Sequence, residues 1–131
     1  MTILGVDYGR KRVGIALSDA TETLAFPHDT LAHSSQLSDE LAQLCTEKNA
    51  RMIVFGHSQN FQGKDNLIMQ DVHALKKTLE AKNIVVCLEP EFLSSVEARK
   101  IQGRTAHTDA SAAALILQRF LDKQRFRAQN N

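Results

Sequence analysis

The chain reads as an α/β protein: a mixed five-stranded sheet with helices on both faces. Three observations predict this. Short apolar runs rich in branched residues, the pattern of buried strands, recur at Ile3–Val6, Val13–Leu17, Met52–Phe55 and Ile84–Leu88. Between the later runs lie segments whose apolar residues repeat at helical spacing. The order, three strands in succession and then alternating helix and strand, is that of a meander continuing into parallel βα units.

Each element follows from local chemistry. Ile3 to Asp7 is an apolar run, and Arg12 to Ser18 is a second, joined to it by the tight Tyr8-Gly9-Arg10-Lys11 connection, so the two form an antiparallel hairpin. A third strand is expected over Thr23 to Leu31, with Pro27 marking it as irregular or at an edge. From Ser34 to Asn49 the period changes: Leu37, Leu41, Leu44 and Cys45 share one helical face, and Ser38, Asp39 and Glu40 supply N-terminal cap chemistry. Arg51 to Gly56 is a buried strand, and a polar loop from His57 to Gly63 leads to a helix from about Asp65 to Ala81. Lys82-Asn83 stops that helix before the strand Ile84 to Leu88. A short helix follows from Leu93, and a last one runs from Thr108 to about Phe126, opened by a Thr-Asp cap. Residues 1–124 are expected to form one domain and 125–131 a polar, frayed tail.

Bulk properties narrow the function classes. An apolar fraction of 43% and a charged fraction of 24% are ordinary for a globular domain and argue against disorder. A formal net charge of +1 excludes a globally basic nucleic-acid glove, so contact with nucleic acid has to come from local clusters. Cys45 and Cys87 each sit inside an apolar pattern and read as buried thiols in a reducing compartment. Neither a secretory signal pattern nor an apolar run near the roughly 20 residues of a membrane span is present, so the expected location is the cytoplasm.

The chemistry-bearing residues gather at predicted strand ends. Asp7 lies between Gly5 and Gly9 at the end of the first strand, where an unpaired buried charge is costly. It is therefore either a hydrogen-bonded turn former or a metal ligand. Gly56-His57 and Glu89-Pro90-Glu91 also fall at or near strand carboxyl ends, where sites form in sheets of this kind. Glu89 and Glu91 share a face by strand alternation. Asp109, next to Thr108, can be an ordinary helix cap. Arg10, Lys11 and Arg12 at the hairpin tip form one basic cluster, and Arg99, Lys100 and Arg104 a second. His57 and His107 could tune a metal or act as general base, but each reads more simply as a loop histidine.

Three segments resemble a known family. The pattern Gly-x-Asp-x-Gly-x-Lys-Arg-x-Gly-x-Ala-x-Ser-Asp runs without a gap from Gly5 to Asp19. Ser94-Ser95-Val96-Glu97-Ala98 and Asp109 to Gln118 supply the other two. Together they are similar to the YqgF-type family, described as Holliday-junction-resolvase-like and as candidate pre-16S rRNA nucleases. The resemblance implies a ribonuclease-H-like fold and maps catalytic, metal-holding carboxylates onto Asp7, Glu91 and Asp109. Two departures stand out: the family's Asp-Glu-Arg triplet reads Pro90-Glu91-Phe92, and its Gly-Leu-Pro-Leu-Asn loop reads Gly56-His57-Ser58-Gln59-Asn60.

Carboxylates from separate elements at one end of a sheet suit Mg²⁺ or Mn²⁺, hard ions that prefer oxygen. Asp7, Glu91 and Asp109 would be metal ligands for phosphodiester hydrolysis, with Glu89 competing for the place of Glu91. Arg10, Lys11, Arg12, Arg99, Lys100 and Arg104 would contact the phosphate backbone. An aromatic content of 5% leaves little for an exposed stacking platform. The function implied is a metal-dependent endonuclease for structured nucleic acid, with precursor 16S rRNA 5′-end processing favoured and ribosomal particles as partners. A Holliday-junction-type DNA resolvase, or a catalytically weak nucleic-acid-binding module of the same fold, is the alternative.

Overall fold

In the computed structural model, residues 1–57, 67–90 and 106–129 are described, with the side chains of 106–108 and 129 left aside. Five strands, β1 (Thr2–Asp7), β2 (Arg12–Ser18), β3 (Ala25–Ala32), β4 (Ala50–His57) and β5 (Val85–Pro90), form one sheet in the order β3-β2-β1-β4-β5. The β1–β2 and β2–β3 pairs are antiparallel, and β1–β4 and β4–β5 are parallel. The expected meander and βα crossovers are both present. Pro27 sits on edge strand β3, where a residue without an N–H is tolerated, and the β2–β3 register slips there, between Ile15 and Ala16.

Strand alternation sorts the core into two layers. Leu4, Val6, Val13, Ile15, Ile53 and Phe55 face helices α1 (Leu37–Lys48) and α2 (Leu67–Ala81), burying Leu41, Cys45, Met69, Val72 and Leu79 against them. On the other face Ile3, Ala16, Met52 and Val54 pack on Ala113, Ile116, Leu117 and Leu121 of α3 (Ala106–Gln129). Helix α3 lies unusually close to β1: a Cβ on Gly5 would stand 2.7 Å from Leu117 Cβ and 3.1 Å from the Ala113 carbonyl. Gln118 ties the same helix to β3, accepting from Ala25 N–H at 2.8 Å and donating to the Thr23 carbonyl at 3.0 Å.

Three local expectations change. Helix α1 starts at Leu37 and has no side-chain cap bond at Gln36. Ser34, rather than Ser38, serves this end: its Oγ accepts from Gln36 N–H at 3.1 Å and bonds Glu40 Oε1 at 3.3 Å. Helix α3 begins at Ala106, which places Asp109 inside the first turn and not at the cap. It also continues to Gln129, so most of the segment expected to be a frayed tail is helical. The short helix expected from Leu93 lies outside the described residues.

Candidate active site at the carboxyl end of the sheet

Strand β1 ends in Asp7, whose side chain falls on the α3 face by alternation with Ile3 and Gly5. Its cross-strand partner on β2 is Gly14, and on the other side the Val6–Phe55 pair places Gly56 beside it. Gly56 in turn pairs with Glu89 of β5. One row thus crosses four strands on a single face: Gly14, Asp7, Gly56, Glu89. Neither glycine puts a side chain beside the Asp7 carboxylate. Two strand spacings separate Asp7 from Glu89, about 10 Å along the row.

Helix α3 brings the second acidic group. A Cβ on Gly14 would lie 2.0 Å from the Asp109 carbonyl oxygen and 2.4 Å from its carbon, so the first turn of α3 rests directly on the glycine paired with Asp7. Asp7 is 4% exposed and Asp109 2%. Two buried carboxylates from different elements therefore occupy the same end of the same face.

Each of the more distant acids is held by a cation. Arg12 Nε lies 2.9 Å from Asp109 Oδ2. Lys123 Nζ donates to Glu89 Oε2 at 2.6 Å, with the Glu89 carboxylate almost fully buried. Lys123 was not marked by any sequence motif. Its signal was helical phase: within the helix expected to about Phe126, Lys123 lies one turn after Phe120.

The hairpin tip divides differently from its sequence reading. Arg12 turns inward to Asp109, and Arg10 Nε bridges to Asp71 of α2 at 3.3 Å. Tyr8 joins this outer network, its hydroxyl 2.9 Å from His33 Nε2 and 3.5 Å from Asp71 Oδ2. Burial, and then the Asp71 charge, push the Tyr8 phenol above its ordinary value. His57 ends β4 on the opposite face from Asp7, with its ring edge-on to His73 of α2 at 6.4 Å, so it does not adjoin the carboxylates. Ser18 and Asp19 do close β2 as a turn: Asp19 accepts from Thr23 and Leu24 N–H, which holds its carboxyl below the usual range.

Glu91, Arg99, Lys100 and Arg104 lie outside the described residues, as does the side chain of His107. Among the described residues, no three His, Cys, Asp or Glu side chains gather closely enough to hold a metal ion. The donor set at the site is nonetheless all oxygen, from two buried carboxylates, which fits a hard divalent cation and not a softer one. Cys45, on the far face, is free and pushed by burial to about 11.

The family described as RuvX: Holliday junction resolvase matches residues 1–123. The chain belongs to this family. RuvX relatives include the protein named "Putative pre-16S rRNA nuclease" of Thermoanaerobacter pseudethanolicus, 34% identical over 140 residues, covering 95% of this chain and 99% of that one. A protein of the same name from Nitratidesulfovibrio vulgaris is 35% identical, covering 93% and 94%. Among solved structures, T. thermophilus RuvC in complex with a Holliday junction superposes with a TM-score of 0.58 at 13% identity, covering 95% of this chain and 96% of that one. The fowlpox virus Holliday junction resolvase gives 0.56 at 15% identity, covering 94% and 99%. The RuvX chain therefore has a ribonuclease-H-like fold. No helix among its described residues is long and apolar enough to cross a membrane.

Proposed function

We propose that this chain is a metal-dependent endonuclease for structured nucleic acid, acting in the cytoplasm on the 5′ end of precursor 16S rRNA in ribosomal particles. The observation that carries the reading is the burial of Asp7 and Asp109 together at one end of one sheet face. Keeping two acids there without a function would be costly. The names of the RuvX relatives support rRNA as substrate.

Asp7, Asp109 and Glu91 would hold Mg²⁺ or Mn²⁺. Such an ion, when bound, polarises a phosphoryl oxygen and lowers the pKa of an attacking water. The chain's own groups prepare the place. Gly14 lets the Asp109 backbone approach Asp7, and Gly56 puts no side chain beside it. The Arg12 guanidinium, 2.9 Å from Asp109 Oδ2, forms an ion pair that offsets the charge of that carboxylate. Lys11, at the hairpin tip between the paired Arg10 and Arg12, engages phosphate together with Arg99, Lys100 and Arg104.

The test is cleavage of a labelled precursor rRNA 5′ segment and of a four-way DNA junction with Mg²⁺, Mn²⁺ or EDTA. Cleavage of the rRNA that needs the divalent ion and is lost in Asp7→Asn is expected. Cleavage of the junction alone would replace rRNA processing with junction resolution, the activity in the family's description. No cleavage of either substrate with either ion would sink the enzyme reading and leave a nucleic-acid-binding module.

A further inference from the structure

At the Glu89 end of the carboxylate row, between β5 and the second half of α3, lies a cavity of about 520 Å³. That is within the roughly 300–1,000 Å³ of small-ligand sites. Its walls are of two kinds. Cys87 and Phe120, which pack on the α3-side core layer, supply apolar surface, whereas Lys123 and Arg127 supply cations and Glu89 a carboxylate already matched by Lys123. Phe120, Lys123 and Arg127 fall one helical turn apart, so a single face of α3 carries the ring and both charges. The balance over the cavity is one positive charge in excess, in a chain whose total is only +1.

We infer that this cavity binds one unpaired nucleotide of a single-stranded nucleic acid, its base against Phe120 and its phosphate on Arg127. An apolar ring beside a cation is the pairing that single-strand binders use, stacking for the base and charge for the backbone. The position selects a polymer over a free nucleotide. Glu89 is in the cavity wall and in the same cross-strand row as Asp7, about 10 Å away. A strand with one phosphate at Asp7 and Asp109 therefore reaches the cavity within a few nucleotides. The inference rests on the nuclease reading for its substrate, and it adds a requirement: an unpaired flank next to the cut.

Binding without cleavage tests it. Anisotropy of a fluorescein-labelled oligouridylate ten-mer is measured in EDTA against the full chain, with a blunt RNA duplex as comparison. Phe120→Leu, which keeps the core apolar, is expected to weaken single-strand binding roughly ten-fold and leave duplex binding unchanged. Arg127→Ala is expected to make the slope of log affinity against log salt shallower by about 0.7, one phosphate contact. Arg125→Ala, two residues before Arg127 and so on the far side of the helix, where it pairs with Asp122, is the control and should change neither. Single-strand affinity within two-fold of the wild type in both Phe120→Leu and Arg127→Ala would overturn the proposal. So would an equal loss in Arg125→Ala. Because EDTA prevents metal-dependent cleavage, failure here leaves the nuclease reading standing, and loss of cleavage with intact binding would do the reverse.

Discussion

Gly14 and Asp109 are in backbone contact: a single added methyl on Gly14 would stand 2.0 Å from the Asp109 carbonyl oxygen. The clash would be with main chain, which cannot swing aside as a side chain could. Gly14→Ala is therefore expected to lift the first turn of α3 off the sheet and to lower stability by about 1–3 kcal/mol. Urea unfolding should show a lower midpoint with an unchanged slope. Cleavage should fall further than stability explains, because Asp109 leaves its place opposite Asp7.

Arg12→Gln removes the guanidinium 2.9 Å from a carboxylate that is almost entirely buried. A loss of about 1–3 kcal/mol is expected. Added Mg²⁺ or Mn²⁺ should recover part of it, since a divalent ion can match the Asp109 charge in place of the arginine. The check is the shift in thermal midpoint on adding metal. It should be larger in Arg12→Gln than in the wild type, and an equal shift would mean that arginine and metal do not share this carboxylate.

Lys123→Met leaves the buried Glu89 carboxylate without its ammonium, at a cost of about 2–4 kcal/mol. The second change Glu89→Gln should return most of that loss, because the uncompensated charge, and not the missing lysine stem, is what destabilises. Denaturant midpoints of the two single variants and the double variant give the coupling directly.

Glu22 carries the clearest acid-side dependence. Hydrogen bonds from Arg51 Nε and Nη2 at 2.7 Å each, then one from Gln124, hold its carboxyl below the ordinary 4.5. A group whose folded value is depressed contributes fully above its unfolded value and loses that contribution as pH falls through the folded one. Wild-type thermal midpoints should therefore decline as pH drops below about 4.5. Glu22→Gln, which keeps the acceptor but not the charge, should be less stable at neutral pH and show a shallower decline. Parallel curves would show that the pair contributes nothing.

The strands were legible because burial forces a short, one-pattern solution: Met52–Phe55 has no polar position to expose, and all four residues are buried. Helix ends were less so. Neither Ser38 nor Thr108 proved to be a first cap, since α1 and α3 each start away from it, where tertiary contact sets the first turn. The stretch from Arg125 onward is polar and reads as a tail, yet the helix continues through it to Gln129.

Periodicity and composition alone determined the α/β class, the edge position of the proline-bearing strand and the strand-end location of Asp7. Those follow from local burial patterns, which are written in consecutive residues. Only the tertiary structure decided that Asp109 rests on Gly14, that Arg12 pairs with the Asp109 carboxylate, and that Glu89 is matched by Lys123. Each of these joins residues 34 to 97 positions apart, and such pairings depend on sheet order and helix crossing, which no local pattern encodes.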